Sequence, residues 1–312
     1  MGKNIKKLEK SFPRVYVEIS GICNAKCPYC VTGAQNQPQG KFIDLKLFRR
    51  ILEYITDKGI FDKNTGNLWI YKWGEPFLHP EFSDIIHIIN DFEINYMVST
   101  NGSIVPEITP SMTKYLKTLY FSMPGFSQYS YDKIHGFSFE KIKENITAIV
   151  NKLKGYGYNK EITILYHIYR FNMKETELCK EFASKLGINI FPYYAGIMDF
   201  WQQIALIEGT MEKEQLNRLS CDYFLDYYYA FFSMKKKRCK LPAETFAIDE
   251  YGNVGTCCQI PANHPDYLCG NLFKDELQDI LKKKFSRPFC TTCKDYGMAF
   301  DDSWNHSFDM EY

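Results

Sequence analysis

The sequence predicts an α/β fold: a partial (β/α)6 TIM-like barrel followed by a small C-terminal cysteine-rich α+β module. Two observations carry that prediction. From residue 14 to about 204, short apolar runs alternate with amphipathic helical patterns. Beyond residue 239 the alternation stops and cysteines crowd together, seven of the eleven lying from Cys221 onward. Near-continuous apolar strands between helices imply a parallel sheet covered on both faces. Six units are too few to close an eightfold barrel, and ligands of such sheets lie beyond the carboxyl ends of the strands.

The strands, in order, are RVYVEIS (14–20), LWIYKW (68–73), INYMVST (94–100), LYFSM (119–123), ITILYHI (162–168) and INIFPYY (188–194). Helical patterns fill the gaps over Ile43–Asp57, Pro80–Asp91, Glu107–Leu116, Phe139–Lys154 and Lys174–Leu186. In the first of these, Leu45, Phe48, Ile51, Leu52 and Ile55 recur at the spacing of one helix face. Residues 1–13 read as an N-terminal extension and residues 205–238 as an aromatic helical connector ending in the basic run MKKKR (234–238). Residues 239–312 hold short strands around the turn DEYGNV (249–254), one helix over KDELQDILKKKF (274–285), and a tail.

A net charge of +1 gives no global field that argues for nucleic acid or an anionic membrane surface. No apolar run has the length a membrane span needs, and the basic N-terminus lacks the apolar core of a secretory signal. The expected location is the cytoplasm. In that reducing compartment eleven cysteines argue for metal rather than for a disulfide framework. Oligomeric state is not readable.

The stretch CNAKCPYC places Cys23, Cys27 and Cys30 directly after the first strand. Three thiolates are one short of a closed structural zinc site, and no fourth cysteine or histidine stands near Cys30. An iron–sulfur cubane held by three thiolates would leave one iron open for a co-reactant. Two further motifs follow the next strands: WGEPFLHP (73–80) and STNG (99–102).

The spacing Cys-x3-Cys-x2-Cys, with Tyr29 before the last cysteine, resembles that of the radical S-adenosylmethionine (SAM) family. The resemblance implies a [4Fe-4S] cluster on Cys23, Cys27 and Cys30 whose open iron chelates SAM. Reductive cleavage of SAM then yields a 5′-deoxyadenosyl radical that abstracts hydrogen from substrate. It implies that Gly74, Glu75 and Pro76 receive the methionine amino group, and that Ser99, Thr100, Asn101 and Gly102 meet the ribose and carboxylate. Trp73 departs from the family's first glycine. After the fourth strand, Ser122 matches a carboxylate-contacting serine, whereas His135 stands where relatives carry an arginine. A histidine there donates one hydrogen bond rather than a bidentate fork.

The segment Cys239-x12-Gly252-x4-Cys257 resembles the opening of the SPASM/twitch extension, and Cys290 and Cys293 supply its closing pair. The resemblance implies one auxiliary [4Fe-4S] cluster on Cys239, Cys257, Cys290 and Cys293, with Cys258 able to replace Cys257. A zinc ribbon on two close cysteine pairs is the alternative. Cys179 reads as a core residue.

Among such relatives, the similar dehydrogenase of 2-deoxy-scyllo-inosamine suggests oxidation of a secondary alcohol in a carbohydrate-like small molecule. The auxiliary cluster would take the second electron, and flavodoxin or ferredoxin would serve as reductant, with MKKKR as a possible docking patch. His167, Arg170 and Asp199, at the ends of strands five and six, are the candidate bases. Radical epimerisation is a second reading, with Cys258 or Cys269 returning hydrogen. Peptide modification is a third, disfavoured because few residues precede the first strand. An iron–sulfur electron carrier is a fourth, disfavoured because it has no need of the GEP and STNG segments.

Overall fold

Six parallel strands follow one another in chain order across a single sheet: β1 (Arg14–Val17), β2 (Asn67–Trp69), β3 (Tyr96–Thr100), β4 (Leu116–Met123), β5 (Glu161–Ile168) and β6 (Asn189–Tyr194). The computed structural model describes residues 11–28, 30–33, 40–233, 239–260 and 267–299, with the side chains of residues 228, 231 and 232 excepted. Tyr29, the basic run 234–238, residues 1–10 and the tail from 300 lie outside the described residues.

Alternation along each strand separates two faces. Val15, Val17, Leu68, Val98, Phe121, Ile162 and Ile164 point outward into the main core. There they meet α1 (Leu45–Asp57), α2 (Phe82–Asp91), α3 (Pro110–Tyr115), α5 (Phe139–Gly155) and α6 (Thr176–Leu186). The predicted face of α1 is the buried one, with Phe48, Ile51, Leu52 and Ile55 inside, and Asp44 caps its first turn by accepting from the Leu47 N–H. Cys179 on α6 is fully buried, as its pattern predicts. The opposite strand face carries Tyr16, Trp69, Met97, Tyr120, Ser122 and His167, and this face lines the barrel interior.

Three elements differ from expectation. The short α4 (Gln128–Lys133) is an addition after β4, capped by Ser127. The connector divides into α7 (Phe200–Glu208), α8 (Lys213–Asp222) and α9 (Leu225–Ser233), because Gly209 takes a left-handed φ of 69° and ends α7. The module holds a second helix beyond the one expected, α12 (Pro288–Asp295), and the pair Cys290/Cys293 sits on it.

The C-terminal module does not form a sheet of its own. After the one-turn α10 (Leu241–Glu244), β7 (Thr245–Ile248) pairs in parallel with β1, Arg14 opposite Thr245 and Val17 opposite Ile248. β8 (Asn253–Gly255) and β9 (Leu268–Asn271) continue antiparallel, giving the nine-stranded order β6-β5-β4-β3-β2-β1-β7-β8-β9. Gly252 makes the β7–β8 turn at φ 80°, where the Asp249 carboxylate accepts from the Tyr251 and Asn253 N–H groups. α11 (Leu277–Phe285) covers this extension with Leu277, Ile280 and Leu281. Among the described residues no helix is long and apolar enough to cross a membrane.

Candidate active site

The three loops after β1, β2 and β3 are bound to one another at the carboxyl end of the barrel. Glu75 is their junction. Its Oε1 accepts from the Phe77 N–H at 3.0 Å and the Thr100 hydroxyl at 2.8 Å, and its Oε2 accepts from the Asn101 N–H at 2.6 Å. Burial raises this carboxyl to about 7 against those three donors. From the other side, the Glu75 N–H donates to the Ile22 carbonyl at 2.8 Å. Gly74 lies so close to the first loop that a Cβ there would fall 1.7 Å from the Ser20 carbonyl oxygen. Pro76, buried, opens the turn that follows. The GEP segment is therefore wedged between the cysteine loop and the STNG loop.

The STNG loop reaches the cysteines directly. Asn101 Nδ2 donates to Asn24 Oδ1 at 3.0 Å and lies 3.8 Å from Cys23 Sγ, while its own Oδ1 accepts from the Ser103 N–H. Gly102 donates to the Thr100 hydroxyl, and its carbonyl accepts from Asn145 on α5. Ser99 lies opposite Tyr120 in the β3–β4 ladder. The loop after β4 closes the ring, the Lys26 N–H donating to the His135 carbonyl at 3.0 Å.

Cys23, Cys27 and Cys30 are mutual neighbours. Burial lifts Cys23 to about 12, and Glu75 and Cys30 add to the rise; burial, Cys30 and Cys23 likewise raise Cys27. Positive charge at these sulfurs would be needed to hold them as thiolates, which is what iron supplies. Asn101 beside Cys23 adds a donor, and Gly74 supplies the close backbone approach, so these residues fit a thiolate-held cluster with SAM beside it. The predicted carboxylate contacts are Ser122 and His135. The His135 imidazole is buried against Tyr131 and Phe137, is pushed down to about 3 by that burial and by His167, and is neutral at pH 7. Its Nδ1 has no hydrogen-bond partner among the described residues, so it can still meet a ligand.

The second set of cysteines converges on the other side of β1. Cys293 is raised first by burial, then by Cys257, Cys239 and Cys290, which identifies these four as neighbours. Cys290 and Cys293 share one face of α12 through their i, i+3 spacing. Four thiols drawn from three elements are a donor set that suits iron–sulfur ligation. Among the described residues, however, no three potential ligands already stand at metal-holding distances, so both thiol sets are gathered rather than closed. No disulfide joins any of the cysteines.

Cys257 and Cys258 face different ways. Cys258 hydrogen-bonds with the hydroxyl of Tyr16, an interior residue of β1, and its charge also reaches Tyr71. Cys269 is fully buried, contacts the Thr256 hydroxyl at 3.7 Å, and belongs to the main core. Of the candidate bases, His167 faces the interior 3.5 Å from Ser122 Oγ, and burial pushes it down to about 4. Arg170 turns away: it is exposed, its guanidinium lies over Phe224 of the connector, and its N–H donates to the Asp222 carbonyl. Asp199 caps α7, accepting from the Gln202 N–H at 2.8 Å.

One interior residue was missed from sequence. Glu18, just past β1, is buried beneath the GEP loop and accepts from the N–H groups of Lys72, Trp73 and Gly74. Burial overrides those donors and raises it from 4.5 to about 8. A folded-state rise favours the protonated form, so stability is lost as pH climbs from 4.5 toward about 8. The urea midpoint of Glu18→Gln should fall less steeply over that interval than that of the wild type.

Comparison with known proteins agrees with this arrangement. Residues 17–183 match the model of the radical SAM superfamily, and residues 239–300 match that of the iron–sulfur cluster-binding SPASM domain. Over 88 residues the chain is 31% identical to GTP 3′,8-cyclase of Vibrio vulnificus, a stretch covering 27% of this chain and 24% of that relative. The match thus spans about a quarter of the cyclase. Among solved structures, Streptococcus suis SuiB bound to its precursor peptide SuiA aligns with a TM-score of 0.58 at 14% identity, covering 92% of this chain and 67% of SuiB. BtrN in complex with AdoMet and 2-DOIA aligns with a TM-score of 0.51 at 14% identity, covering 94% of this chain and 89% of BtrN. Motifs at three successive strand ends and a family match over residues 17–183 converge on one assignment. This chain belongs to the radical SAM superfamily, binds SAM and a [4Fe-4S] cluster, and carries a C-terminal SPASM domain for auxiliary iron–sulfur binding.

Proposed function

We propose that the protein oxidises a secondary alcohol of a carbohydrate-like small molecule, such as a sugar or aminocyclitol, to the ketone. The observation that carries this reading is His167: a half-buried imidazole, pushed down to about 4 and so neutral at pH 7, facing the barrel interior beside Ser122. Its site residues are Cys23, Cys27 and Cys30 for the cluster, and Gly74 to Pro76, Ser99 to Gly102, Ser122 and His135 for SAM. Cys239, Cys257, Cys290 and Cys293 hold one auxiliary cluster. The bound cofactors supply a hydrogen-abstracting radical and an acceptor for the second electron. The chain's part is to hold the carbinol against His167, which takes the hydroxyl proton once the carbon has lost its hydrogen atom. The alcohol thus loses two protons and two electrons in all. Tyr16, Trp69 and Tyr120, in ring contact along the interior, offer faces on which a saturated ring can rest. A flavodoxin or ferredoxin is the reductant this chemistry needs.

The test is anaerobic incubation of the reconstituted enzyme with SAM and a panel of aminocyclitols and sugars. Formation of 5′-deoxyadenosine with a substrate lighter by two hydrogens supports the reading. His167→Gln should then lower ketone formation by about 10²–10⁴-fold, the usual worth of a general base. SAM cleavage without any oxidised product across the panel would sink it.

A second reading rests on Cys258. A thiol beside Tyr16 in the barrel interior is placed to return hydrogen to a substrate radical, giving epimerisation without net oxidation. Cys269, enclosed in the core, does not share that position. Deuterium appearing at one carbon of the product in heavy water, lost in Cys258→Ala, would favour epimerisation. Unchanged turnover in Cys258→Ala would exclude that thiol as donor.

A further inference from the structure

Lys284 has no part in the chemistry described so far, yet its side chain is fully buried. The last turn of α11 carries Lys282, Lys283 and Lys284, of which only Lys284 turns inward, on the face of Leu277, Ile280 and Leu281. Its Nζ donates to the Thr256 carbonyl at 2.6 Å and lies 5.7 Å from the Phe12 ring centre. Burial lowers its pKa, and the groups that oppose that fall, by favouring the ammonium, are all cysteines: Cys257, Cys269, Cys258 and Cys290. An ammonium enclosed in protein needs a counter-charge. Here no carboxylate provides one at salt-bridge distance among the described residues.

A second lysine, half-buried, approaches from β2's side. Lys72 donates to the Ile260 carbonyl, and Cys257, Glu18, Cys258 and Asp249 act on it. The two lysines therefore flank the Cys257–Cys258 pair, Lys284 acting more strongly on Cys257 and Lys72 on Cys258. The surroundings are apolar: Leu241, Ile260, Tyr267 and Met298 pack with these cysteines, so little water screens the charges.

We propose that Lys284 is a potential-setting residue of the auxiliary cluster, its buried ammonium stabilising the reduced, more negative state and so making the cluster an electron acceptor. A fixed positive charge beside a thiolate-held cluster raises its reduction potential, because reduction adds negative charge that the cation attracts. Lys72 contributes less, since it is only half-buried and the Asp249 carboxylate shares its charge. The assignment rests on the SPASM domain holding iron–sulfur, and it stands whichever substrate the barrel accepts.

The test uses the full chain with Cys23, Cys27 and Cys30 changed to alanine, reconstituted anaerobically so that the auxiliary cluster is titrated alone by spectroelectrochemistry. Lys284→Met should lower the midpoint by at least a tenfold change in the reduction equilibrium, about 59 mV for one electron. Lys284→Arg should keep most of the wild-type midpoint, and Lys72→Met should shift it by less than Lys284→Met. An unchanged midpoint in Lys284→Met with its full iron content would overturn the proposal. So would a shift in Lys284→Arg as large as in Lys284→Met, or one in Lys72→Met that matches it. Loss of iron from both Lys284→Met and Lys284→Gln would also overturn it, assigning the lysine to cluster assembly instead.

Discussion

Changing Cys23, Cys27 and Cys30 together to alanine should abolish SAM cleavage and lower the iron content of the anaerobically reconstituted protein from about eight to about four atoms per chain. Burial first, and then the neighbouring sulfurs, raise Cys23 and Cys27, which places the three cysteines together in one enclosed loop. The other thiol set comes from the segment before α10, the turn after β8 and α12, beyond β1, and should keep its iron when the first is removed. Iron and sulfide counts on both proteins check this. A fall from about four irons to none would show that Cys239, Cys257, Cys290 and Cys293 hold no iron. A redox-neutral reaction, with Cys258 as hydrogen donor, would then become the better assignment.

Gly74→Ala should be nearly as damaging. Its added methyl would sit 1.7 Å from the Ser20 carbonyl oxygen, which is backbone and cannot swing aside. The GEP loop would have to lift from the cysteine loop, carrying the Glu75 N–H away from Ile22 and straining the Glu75 bonds to Thr100 and Asn101. Displacement of a positioning loop by about 1 Å costs on the order of a hundredfold in rate. The expected result is at least that loss in kcat/KM for SAM cleavage, with iron content retained. Gly155→Ala, where an added Cβ meets nothing within 4 Å, is the matched control and should behave as wild type.

Much of the site is legible because its chemistry is local. Three cysteines on one loop, a GEP and an STNG keep their meaning within a few residues, and each loop follows a strand whose apolar pattern reveals it. Strand ends were less informative for polar residues with short-range duties: Asp199 answers the first turn of α7, and Arg170 lies over Phe224. Only the imidazole of His167, on the interior face of β5, stays near the proposed chemistry. Lys284 shows a signal that was present and easily passed over. In KKKF it resembles a solvated helix end, yet it stands seven residues after Leu277 and so on the same buried face. The pairing of β7 with β1 had no local signature, since a four-residue strand says nothing about a partner some 230 residues earlier. The family resemblance therefore pointed to the cysteines, while the continuity of the sheet through β1 emerged only from the structure.

That continuity bears on how the chain is made. β1 leaves the ribosome some 230 residues before Thr245–Ile248, so one of its two edges waits for that strand until the rest of the barrel has been made. Until then the nascent barrel exposes a row of unpaired backbone groups beside an aromatic interior, the kind of edge that recruits other strands. The long-range pairing also makes the fold slow by topology. The SPASM module is thus the last staple of the barrel as well as an iron–sulfur-binding domain. Iron delivered to the cysteine loop before β7 arrives would meet an unfinished wall, so cluster loading is best timed after release of the whole chain.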